Sequence, residues 1–388
     1  MRILLINTLY PPYSVGGAER SVKILAEGLV KKGHRVVVIS LSDKELIEDI
    51  NGVKVYRCKL ENVYWPFNGE TKKPVLHSLW HIVDAYNPLM CKKVYKIIKN
   101  EKPDIIHTHN LQGFSSNIWK IGEQSNIPNI HTLRDYWLRC PKTTMYKNNQ
   151  VCESSCLDCM LLSIPKKELS QKVDAVVGIS QFILNSHIKA GYFKNVKDKA
   201  VIYNSIRINK VNGSNKKIED DFKVGFLGRI SESKGIKLLI DKFKNTDIPL
   251  LIGGKGDEEI LQYLTQLKAP NIKYLGYVNP SHFFRNIDIL IVPSLWNEPF
   301  GRIVIEAYGC GVPVIVNDKG GLSEIVDHEK SGIIIDFDKD DIIQIVNKIR
   351  FNEKLLSDMK NAAIEKAKSF DGSSNDIQDY IKLYKKLS

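Results

Sequence analysis

Two glutamates in the last third of the sequence have the chemistry and the setting of ligand-binding residues. Glu298 and Glu306 lie on either side of Gly301, in a segment that follows an apolar run and ends at Pro313. Gly301 can begin a helix, which puts Glu298 before the first turn and Glu306 about two turns further on. Carboxylates in these places can accept hydrogen bonds from several hydroxyl groups of one elongated ligand. Acids at this spacing also occur on many solvated helices, so the spacing alone is a weak signal.

A pair of cations forms a second candidate site. Arg229 and Lys234 follow the apolar run 224–227. At the carboxyl end of a parallel strand, a guanidinium fork and an ammonium can grip a diphosphate together. Two solvated loop cations are the plainer interpretation of the same residues.

The glycine pair Gly16-Gly17, between the first apolar run and the helix after it, is a third candidate. Adjacent glycines allow a ligand to approach the backbone closely, and the start of a helix offers free N–H groups to an anion. The segment does not fit the Gly-x-Gly-x-x-Gly fingerprint of dinucleotide sites, which argues against NAD. A tight turn that binds nothing is the alternative.

Four of the seven cysteines fall within twenty residues, at Cys140, Cys152, Cys156 and Cys159. The last two form a Cys-x2-Cys pair, the spacing by which one turn offers two thiolates to a metal. Four sulfurs suit a structural zinc ion, with an iron–sulfur cluster as the other option. Two disulfides or unligated thiols are the alternatives. Because no export signal is visible, we expect reduced thiols, which disfavours the disulfides.

The elements that must position these groups are short apolar strands alternating with helices of amphipathic spacing. Such alternation is typical of parallel sheets covered on both faces. The length of 388 residues exceeds what one hydrophobic core usually holds. We therefore predict two doubly wound α/β domains, residues 1–205 and 206–370, with a polar linker at 208–221.

Charge is distributed unevenly between these domains. Residues 1–205 carry 29 basic and 18 acidic side chains, whereas residues 206–388 carry 27 and 26. This excess indicates an anionic partner of the first domain, although solubility explains it equally well. Nucleic acid fits poorly because no recognition motif accompanies the charge. Interleaved lysines and aromatic residues favour an anionic membrane surface instead; they are Lys72, Lys73, Lys92, Lys93, Lys96, Lys99, Lys102, Lys166, Lys167, Tyr64, Trp65, Phe67, Trp80, Tyr86 and Trp119.

The N-terminus runs directly into an apolar strand and lacks the features of a signal peptide. No uninterrupted apolar run approaches the ~20 residues that span a bilayer. We therefore expect a cytoplasmic protein, peripheral on the inner face of the cell membrane.

Taken together, residues 3–40 and 224–332 resemble the retaining glycosyltransferases of family 4, which have the GT-B fold. The resemblance rests on the Gly16-Gly17 loop, the Arg229 and Lys234 segment, and the Glu-x7-Glu pair. The run Glu306-Ala307-Tyr308-Gly309-Cys310-Gly311-Val312-Pro313-Val314 matches the family pattern closely, and the Gly320-Gly321 segment and Gly332 fit the next stretch of that pattern.

For the fold, this resemblance implies two Rossmann-like domains facing each other across a cleft. It also implies that the last helix, within residues 371–388, returns to pack on the first domain. The cysteine-rich segment at about 138–165 is similar to insertions in part of the family.

For the site, the resemblance implies a nucleotide diphosphate sugar bound mainly by the second domain. Arg229 and Lys234 would neutralise the diphosphate, so that no metal is needed there. Glu306 would hold the ribose hydroxyls and Glu298 the hydroxyls of the transferred sugar. The other implied donor contacts are backbone groups of Phe300, Gly301 and Arg302, with Gly16 and Gly17 closing over the donor.

The first domain departs from the family pattern at two places. In relatives a histidine precedes the Asp-Tyr-Trp run and faces the donor sugar, whereas this sequence has Arg134 there. Asn204 is followed by serine where the family usually has glycine. His109 follows a predicted strand that points at the cleft, which makes it a candidate for donor or acceptor contact. His131 is a weaker candidate.

The sequence therefore predicts a retaining glycosyltransferase, with Glu298, His109 and Arg134 as its catalytic candidates. The expected acceptor is a lipid-linked saccharide of a surface polysaccharide or lipopolysaccharide. A nucleotide-sugar epimerase of the same fold is one alternative. A non-catalytic protein that binds nucleotide or membrane is the other.

Overall fold

The computed structural model describes residues 1–13, 16–67, 73–206, 222–371 and 375–388. The chain forms two compact units. The first unit comprises residues 1–145, 152–205 and 372–388, and the second comprises residues 146–151 and 206–371. The predicted linker at 208–221 lies outside the described residues.

The strands of the first unit are short runs rich in Val and Ile, residues that suit a buried pleated surface. They are β1 (Arg2–Ile6), β2 (Arg35–Ser42), β3 (Leu46–Ile50), β4 (Val53–Lys59), β5 (Ile105–Thr108) and β6 (Asn129–Leu133). A separate hairpin of β7 (Tyr146–Lys147) and β8 (Gln150–Val151), which belongs to the second unit, comes next along the chain. Strands β9 (Ala175–Gly178) and β10 (Asp198–Val201) then complete the large sheet. Its order is β10-β9-β6-β5-β1-β2-β4-β3, parallel except between β3 and β4.

Helices connect these strands, as the amphipathic spacing predicts. They are α1 (Gly17–Lys31), α2 (Pro74–Ala85), α3 (Pro88–Glu101), α4 (Trp119–Ser125), α5 (Leu157–Leu169) and α6 (Gln181–Lys189). The first helix buries Val22, Leu25 and Leu29, whose spacing puts them on one face. Gly33 follows this helix with φ of 80°, a backbone conformation that glycine adopts without strain.

The second unit repeats the pattern with a wholly parallel sheet of order β13-β12-β11-β14-β15-β16. Its strands are β11 (Val224–Leu227), β12 (Leu250–Gly253), β13 (Ile272–Tyr274), β14 (Ile289–Val292), β15 (Val314–Asn317) and β16 (Gly332–Ile335). Its helices are α7 (Ile236–Phe243), α8 (Glu258–Gln266), α9 (Pro280–Phe284), α10 (Arg302–Tyr308), α11 (Ile342–Arg350) and α12 (Glu353–Lys368).

The strand order decides where ligands can bind in each unit. In the first sheet β1 lies between β2 and β5, and in the second β11 lies between β12 and β14. The order reverses at these central strands, and parallel sheets bind ligands beyond the carboxyl ends of the strands at such points. The segments after β1, β5, β11 and β14 therefore carry the candidate sites.

The last helix, α13 (Asn375–Leu387), belongs to the first unit, which confirms that part of the predicted fold. Ile377, Tyr380, Ile381 and Tyr384 join the apolar core formed by the strands and α1. The Tyr384 hydroxyl lies 2.7 Å from His107 Nδ1 on β5. The chain thus leaves the first unit, builds the second, and returns to complete the first.

Among the described residues, no helix has both the length and the apolar character needed to cross a bilayer.

Candidate functional site

Glu298 is the best-anchored polar group of the second unit. It follows β14 and is only 6% exposed. Its Oε1 accepts hydrogen bonds from Ser294 Oγ at 2.7 Å and from Trp296 Nε1 at 3.1 Å. The ammonium of Lys234 also donates to this oxygen. The carboxylate is therefore held in one orientation by three donors, and its position relative to β14 agrees with the sequence prediction.

Lys234 reaches this carboxylate from the turn that follows β11. Its ammonium also lies 5.2 Å from the centre of the Trp296 ring, a cation–π distance. Gly235 has φ of 71°, and a Cβ there would lie 1.9 Å from the carbonyl oxygen of Pro293. Only glycine allows the turn after β11 to approach the segment after β14 so closely. A glycine must therefore follow Lys234 for the lysine to reach Glu298.

A glycine pair fixes the backbone of Glu298. Gly321 donates its N–H to the carbonyl of Glu298 at 2.7 Å. Gly320 has φ of 70°, and a Cβ on it would lie 2.3 Å from the same oxygen. The sequence alone connects these two residues with a family pattern and gives them no physical role. The structure assigns them the positioning of Glu298.

The segment after Glu298 turns into α10 at Gly301, whose φ is 96°. Arg302 Nε donates to Glu306 Oε1 at 2.8 Å, one helical turn away, and both side chains are mostly buried. Phe300 is buried against Phe370 with ring centres 6.2 Å apart. The sequence predicted only a backbone role for Arg302, so it missed the ion pair that orients Glu306.

Arg229 follows β11 and its side chain is exposed. The adjacent Gly228 donates to the carbonyl of Gly253, at the end of β12, at 3.1 Å. Gly254 has φ of 140°, and a Cβ there would lie 1.8 Å from the carbonyl oxygen of Gly228. A second glycine turn therefore borders the segment that carries Arg229. Three glycines in the sequence, Gly253, Gly254 and Gly256, mark this turn, although no site was predicted there.

In the first unit, Gly16 and Gly17 stand at the start of α1, as predicted. Gly16 has an extended backbone, and its N–H donates to Glu19 Oε2 at 3.2 Å. Glu19 is buried, at 6% exposure. One of the N–H groups predicted for an anion is therefore already bonded to a carboxylate of the same helix. The preceding Ser14 and Val15 lie outside the described residues.

His109 and Arg134 come together beyond the ends of β5 and β6. Arg134 Nε donates to His109 Nδ1 at 3.2 Å, and its Nη1 donates to Asn204 Oδ1 at 2.7 Å. His109 Nε2 is buried and has no hydrogen-bond partner in the described part of the chain. Burial and the neighbouring His107, Arg134 and His131 hold the pKa of His109 well below its ordinary value. His109 and Arg134, two of the three catalytic candidates, thus form one polar cluster with Asn204.

The structure gives His131 a different environment. Its Nδ1 lies 2.9 Å from Thr108 Oγ1, and its ring stacks on Phe193 at 5.7 Å. Burial lowers its pKa to about 3. His131 is therefore a buried core residue, and its rank below His109 stays a prediction.

A buried polar network next to the cysteine-rich insertion was missed by the sequence. Asp84, on α2, accepts from Trp137 Nε1 at 2.9 Å and from the Gly113 N–H at 2.5 Å. Lys166 donates to the Trp137 carbonyl at 3.0 Å, and its ammonium lies 3.8 Å from the centre of the Trp137 ring. Burial raises the pKa of Asp84 to about 6 and lowers that of Lys166 to about 8. The network fixes the insertion to α2.

Part of the predicted basic surface is wrong. Lys166 was expected among the surface lysines, yet it is 2% exposed. Trp80 and Trp119, expected near lipid headgroups, are core residues at 1% and 0% exposure. Lys93 forms ion pairs with Glu45 and Glu61. Helical spacing alone could not distinguish the inner from the outer face of these short helices.

Three of the four clustered cysteines contact each other. The thiol of Cys159 lies within hydrogen-bonding reach of Cys156 and Cys140, and burial together with these neighbours raises its pKa above the ordinary value. Cys152 lies after β8, where its N–H donates to the Met145 carbonyl at 2.8 Å. Among the described residues, no group of three or more His, Cys, Asp and Glu side chains has an arrangement that could hold a metal ion. The four-cysteine metal site stays a prediction.

Comparisons with known proteins agree with this architecture. The family model described as "Glycosyltransferase Family 4" matches residues 15–210, and the model described as "Glycosyl transferases group 1" matches residues 208–366. A solved structure of Anabaena HepE covers all of this chain and is itself fully covered, with a TM-score of 0.71 at 20% identity. The two parallel α/β units are those of a GT-B glycosyltransferase.

The chain belongs to glycosyltransferase family 4. An uncharacterized 42.6 kDa protein in the cps region of Klebsiella pneumoniae is 38% identical over 328 residues, which are 84% of this chain and 87% of the relative. The capsular polysaccharide biosynthesis glycosyltransferase CapM of Staphylococcus aureus is 29% identical over 47% of this chain and 52% of its own length. Membership of this family makes the chain a glycosyltransferase.

Proposed function

We propose that the enzyme transfers a sugar from a nucleotide diphosphate sugar, with retention of anomeric configuration, to a lipid-linked saccharide. The observation that carries the donor part is the meeting of Lys234 and Glu298 beyond the carboxyl ends of β11 and β14. A fixed carboxylate beside a cation suits a ligand that has hydroxyl groups next to a phosphate. Anabaena HepE, which shares the fold, is solved with UDP and glucose, and this supports the donor class.

In this proposal the diphosphate lies near Lys234 and Arg229, which supply its counter-charge without a metal ion. The start of α10 at Gly301 faces the same edge of the sheet and adds backbone N–H groups. Glu306, oriented by Arg302, accepts hydrogen bonds from the hydroxyls of the ribose. Glu298 accepts hydrogen bonds from the hydroxyls of the transferred sugar.

The chemical step follows from this binding mode. The bond between the sugar C1 and the diphosphate oxygen breaks, and a bond from C1 to the acceptor oxygen forms on the same face. The proton of the acceptor hydroxyl goes to the leaving phosphate oxygen. Glu298 positions and stabilises the sugar and does not form a covalent bond. The His109 imidazole of the first unit, neutral and with an N–H at Nε2, can donate a hydrogen bond to a substrate hydroxyl.

The lipid-linked acceptor is supported by relatives from capsular polysaccharide systems and by the basic first unit. The basic charge of the first unit would attract the diphosphate of such an acceptor. The same charge favours an anionic membrane surface, where the acceptor is presented. We therefore place the enzyme on the inner face of the cell membrane.

Donor binding can be tested with the purified chain and a panel of nucleotide diphosphate sugars. A true donor raises the melting temperature, because it binds only the folded state. Glu306→Ala should weaken donor binding about tenfold or more, whereas Glu298→Gln should lower turnover about a hundredfold with a smaller effect on binding. Glu258→Gln, an exposed carboxylate at the start of α8, is the matched control.

The stereochemistry is tested separately by NMR of the product formed from a donor of known anomeric configuration. Retention supports the proposed step, and inversion contradicts it. Unchanged donor binding and turnover in both glutamate variants would contradict the proposed site.

A further inference from the structure

Helix α2 exposes an apolar row on the surface of the first unit. Val75, Leu79 and Ile82 are 70%, 45% and 58% exposed, and their spacing puts them on one face of the helix. The only charged residue of α2 is Asp84, which is fully buried. A helix that shows solvent an uncharged apolar face is unusual for a surface helix.

Helix α5 packs against α2 and has an apolar row of its own. Leu157, Leu161 and Ile164 are 73%, 62% and 54% exposed. We call the two rows together, Val75, Leu79, Ile82, Leu157, Leu161 and Ile164, the apolar face. Two neighbouring helices with such rows expose more apolar area than isolated surface residues do, and such patches mark interaction sites.

A pocket of about 580 Å³ lies beside α5, lined by Ile164 and Lys167 of that helix and by Arg139 and Lys189. Arg139 is only 7% exposed. Its Nη1 donates to the Ser186 carbonyl at 3.1 Å and to Ser186 Oγ at 2.5 Å, whereas its buried Nε has no partner in the described part of the chain.

Within the described ranges no carboxylate lies within ion-pair distance of Arg139, although Glu153 lines the same pocket. A buried guanidinium with two exposed lysines around one pocket fits an anionic group such as a phosphate.

The lysines on and before the helices of this part of the first unit indicate what kind of partner covers the apolar face. Lys73 precedes α2, and Lys92, Lys96 and Lys99 are exposed on α3, whose single acid, Glu101, is buried and paired. Exposed acids lie at Asp158 and Glu168 on α5 and at Glu153, which lines the pocket. An apolar face with a basic border matches the interface of an anionic bilayer, where apolar side chains enter the headgroup region and lysines meet phosphates.

We propose that the apolar face rests on an anionic membrane and that the Arg139 pocket takes the phosphate of a lipid headgroup. The inference rests on the proposed function in one respect, the presentation of the acceptor at a membrane. It assigns that contact to α2, α5 and the pocket between α5 and α6. The enzyme is then held at the bilayer by its first unit.

The test uses the full chain and vesicles of phosphatidylcholine, alone or with about 30% phosphatidylglycerol. We expect flotation with the anionic vesicles to exceed flotation with the neutral ones by about tenfold or more at low salt, and to fall as salt rises. Ile82→Gln with Leu161→Gln should abolish it. Both side chains are more than half exposed, so the double variant should fold normally. Phe351→Gln, on an exposed side chain of the second unit, is the matched control and should float as the wild type does.

The pocket is tested by Lys167→Gln with Lys189→Gln, which should remove the preference for phosphatidylglycerol and leave the weak binding to neutral vesicles. Inorganic phosphate is the probe for a soluble anion. A melting shift with millimolar phosphate, together with equal binding to both vesicle types, would assign the pocket to a soluble ligand and overturn the proposal.

Two further outcomes would overturn it. The wild-type protein could fail to bind vesicles and instead form a dimer, while the Ile82→Gln/Leu161→Gln variant stays monomeric. This result would assign the apolar face to a second copy of the chain. Unchanged vesicle binding in that double variant would exclude the apolar face. Donor-induced melting shifts are measured on the same samples, so loss of vesicle binding with intact donor binding contradicts only this inference. Loss of donor binding with intact vesicle binding contradicts only the proposed function.

Discussion

The Nε–H of Arg134 points at Nδ1 of His109 from 3.2 Å, and this contact fixes the tautomer of the histidine. Because Nδ1 accepts, the hydrogen of the neutral imidazole must be on Nε2. Nε2 is buried and has no partner in the described chain, so this N–H is available to a ligand. The cluster can therefore donate a hydrogen bond without changing its charge.

Arg134→Met should remove the donor to His109 and to Asn204 while roughly preserving side-chain volume. We expect turnover to fall about tenfold to a hundredfold, because the imidazole loses its fixed tautomer. Donor affinity should change less. Steady-state kinetics on the variant check this. Arg350→Met is the control, since Arg350 pairs with the exposed Asp247 and lies over the exposed ring of Phe351. Turnover within twofold of the wild type would contradict a role of Arg134 in the reaction.

Gly320 and Gly276 offer a matched pair of substitutions. Both have φ near 70°, but a Cβ at Gly320 would meet the Glu298 carbonyl at 2.3 Å, whereas a Cβ at Gly276 would meet nothing within 4 Å. Both alanine variants should lose about 1–2 kcal/mol of unfolding free energy from backbone strain. Only Gly320→Ala should also lose turnover, because Glu298 must move. Equal turnover in the two variants would show that the clash is relieved elsewhere.

Tyr384→Phe should destabilise the first unit. The phenol is buried and lies 2.7 Å from His107 Nδ1, so the variant leaves a buried imidazole nitrogen unpaired. We expect a loss of about 1–3 kcal/mol, measured by urea unfolding. Tyr263→Phe, on an exposed tyrosine of α8, controls for the loss of a hydroxyl. A difference below about 0.5 kcal/mol between the two, the size of a neutral surface substitution, would contradict the bond.

Acid should destabilise the first unit before the second. Burial lowers the pKa of His131 and His187 to about 3 and of His81 to about 4, and it holds those of His107 and His109 well below normal. Below pH 6.5 the unfolded chain binds protons at these histidines and the folded chain does not, so the free energy of unfolding falls as pH falls.

Three aspartates of the first unit oppose this trend. Burial raises the pKa of Asp84 and Asp135 to about 6 and also raises the pKa of Asp376, so between pH 6 and 4 the folded state binds more protons at these carboxyls than the unfolded state does. Because the five histidines outnumber the three aspartates, the net loss should be about 2–4 kcal/mol per pH unit in that range. Hydrogen exchange at pH 7.5 and 5.5 checks this. Earlier loss of protection in the second unit than in the first would be the contrary result.

The α/β architecture could be predicted from the sequence because short apolar strands alternate with amphipathic helices along most of the chain. The strand order, which reverses at β1 and β11, came from the structure. The distinctive composition of its segment also singled out Glu298, whose role stays a prediction. The sequence could not show that Lys234 meets Glu298, since the two are 64 residues apart and their contact depends on the close approach at Gly235. The Arg302–Glu306 pair was in principle visible as an i,i+4 spacing.

The surface was harder to predict than the core. Trp80 and Leu79 are neighbours in α2, yet one is buried and the other is exposed. Which face of α2 points inward depends on α5, a helix more than 70 positions later. Local periodicity cannot contain that information, so the sequence assigns the lysines and aromatics to one surface, whereas the structure separates them.

The position of α13 has a consequence for synthesis of the chain. The hydroxyl of Tyr384 and the ring of His107 are separated by 277 residues, and every residue of the second unit lies between them. On the ribosome, the part that is made first must wait for the last dozen residues before its core closes, whereas the part that is made second can fold as soon as it emerges. The N-terminal half is therefore the later one to mature, and a chain that stops a few residues early should leave its opening sheet unfinished although that sheet was translated completely.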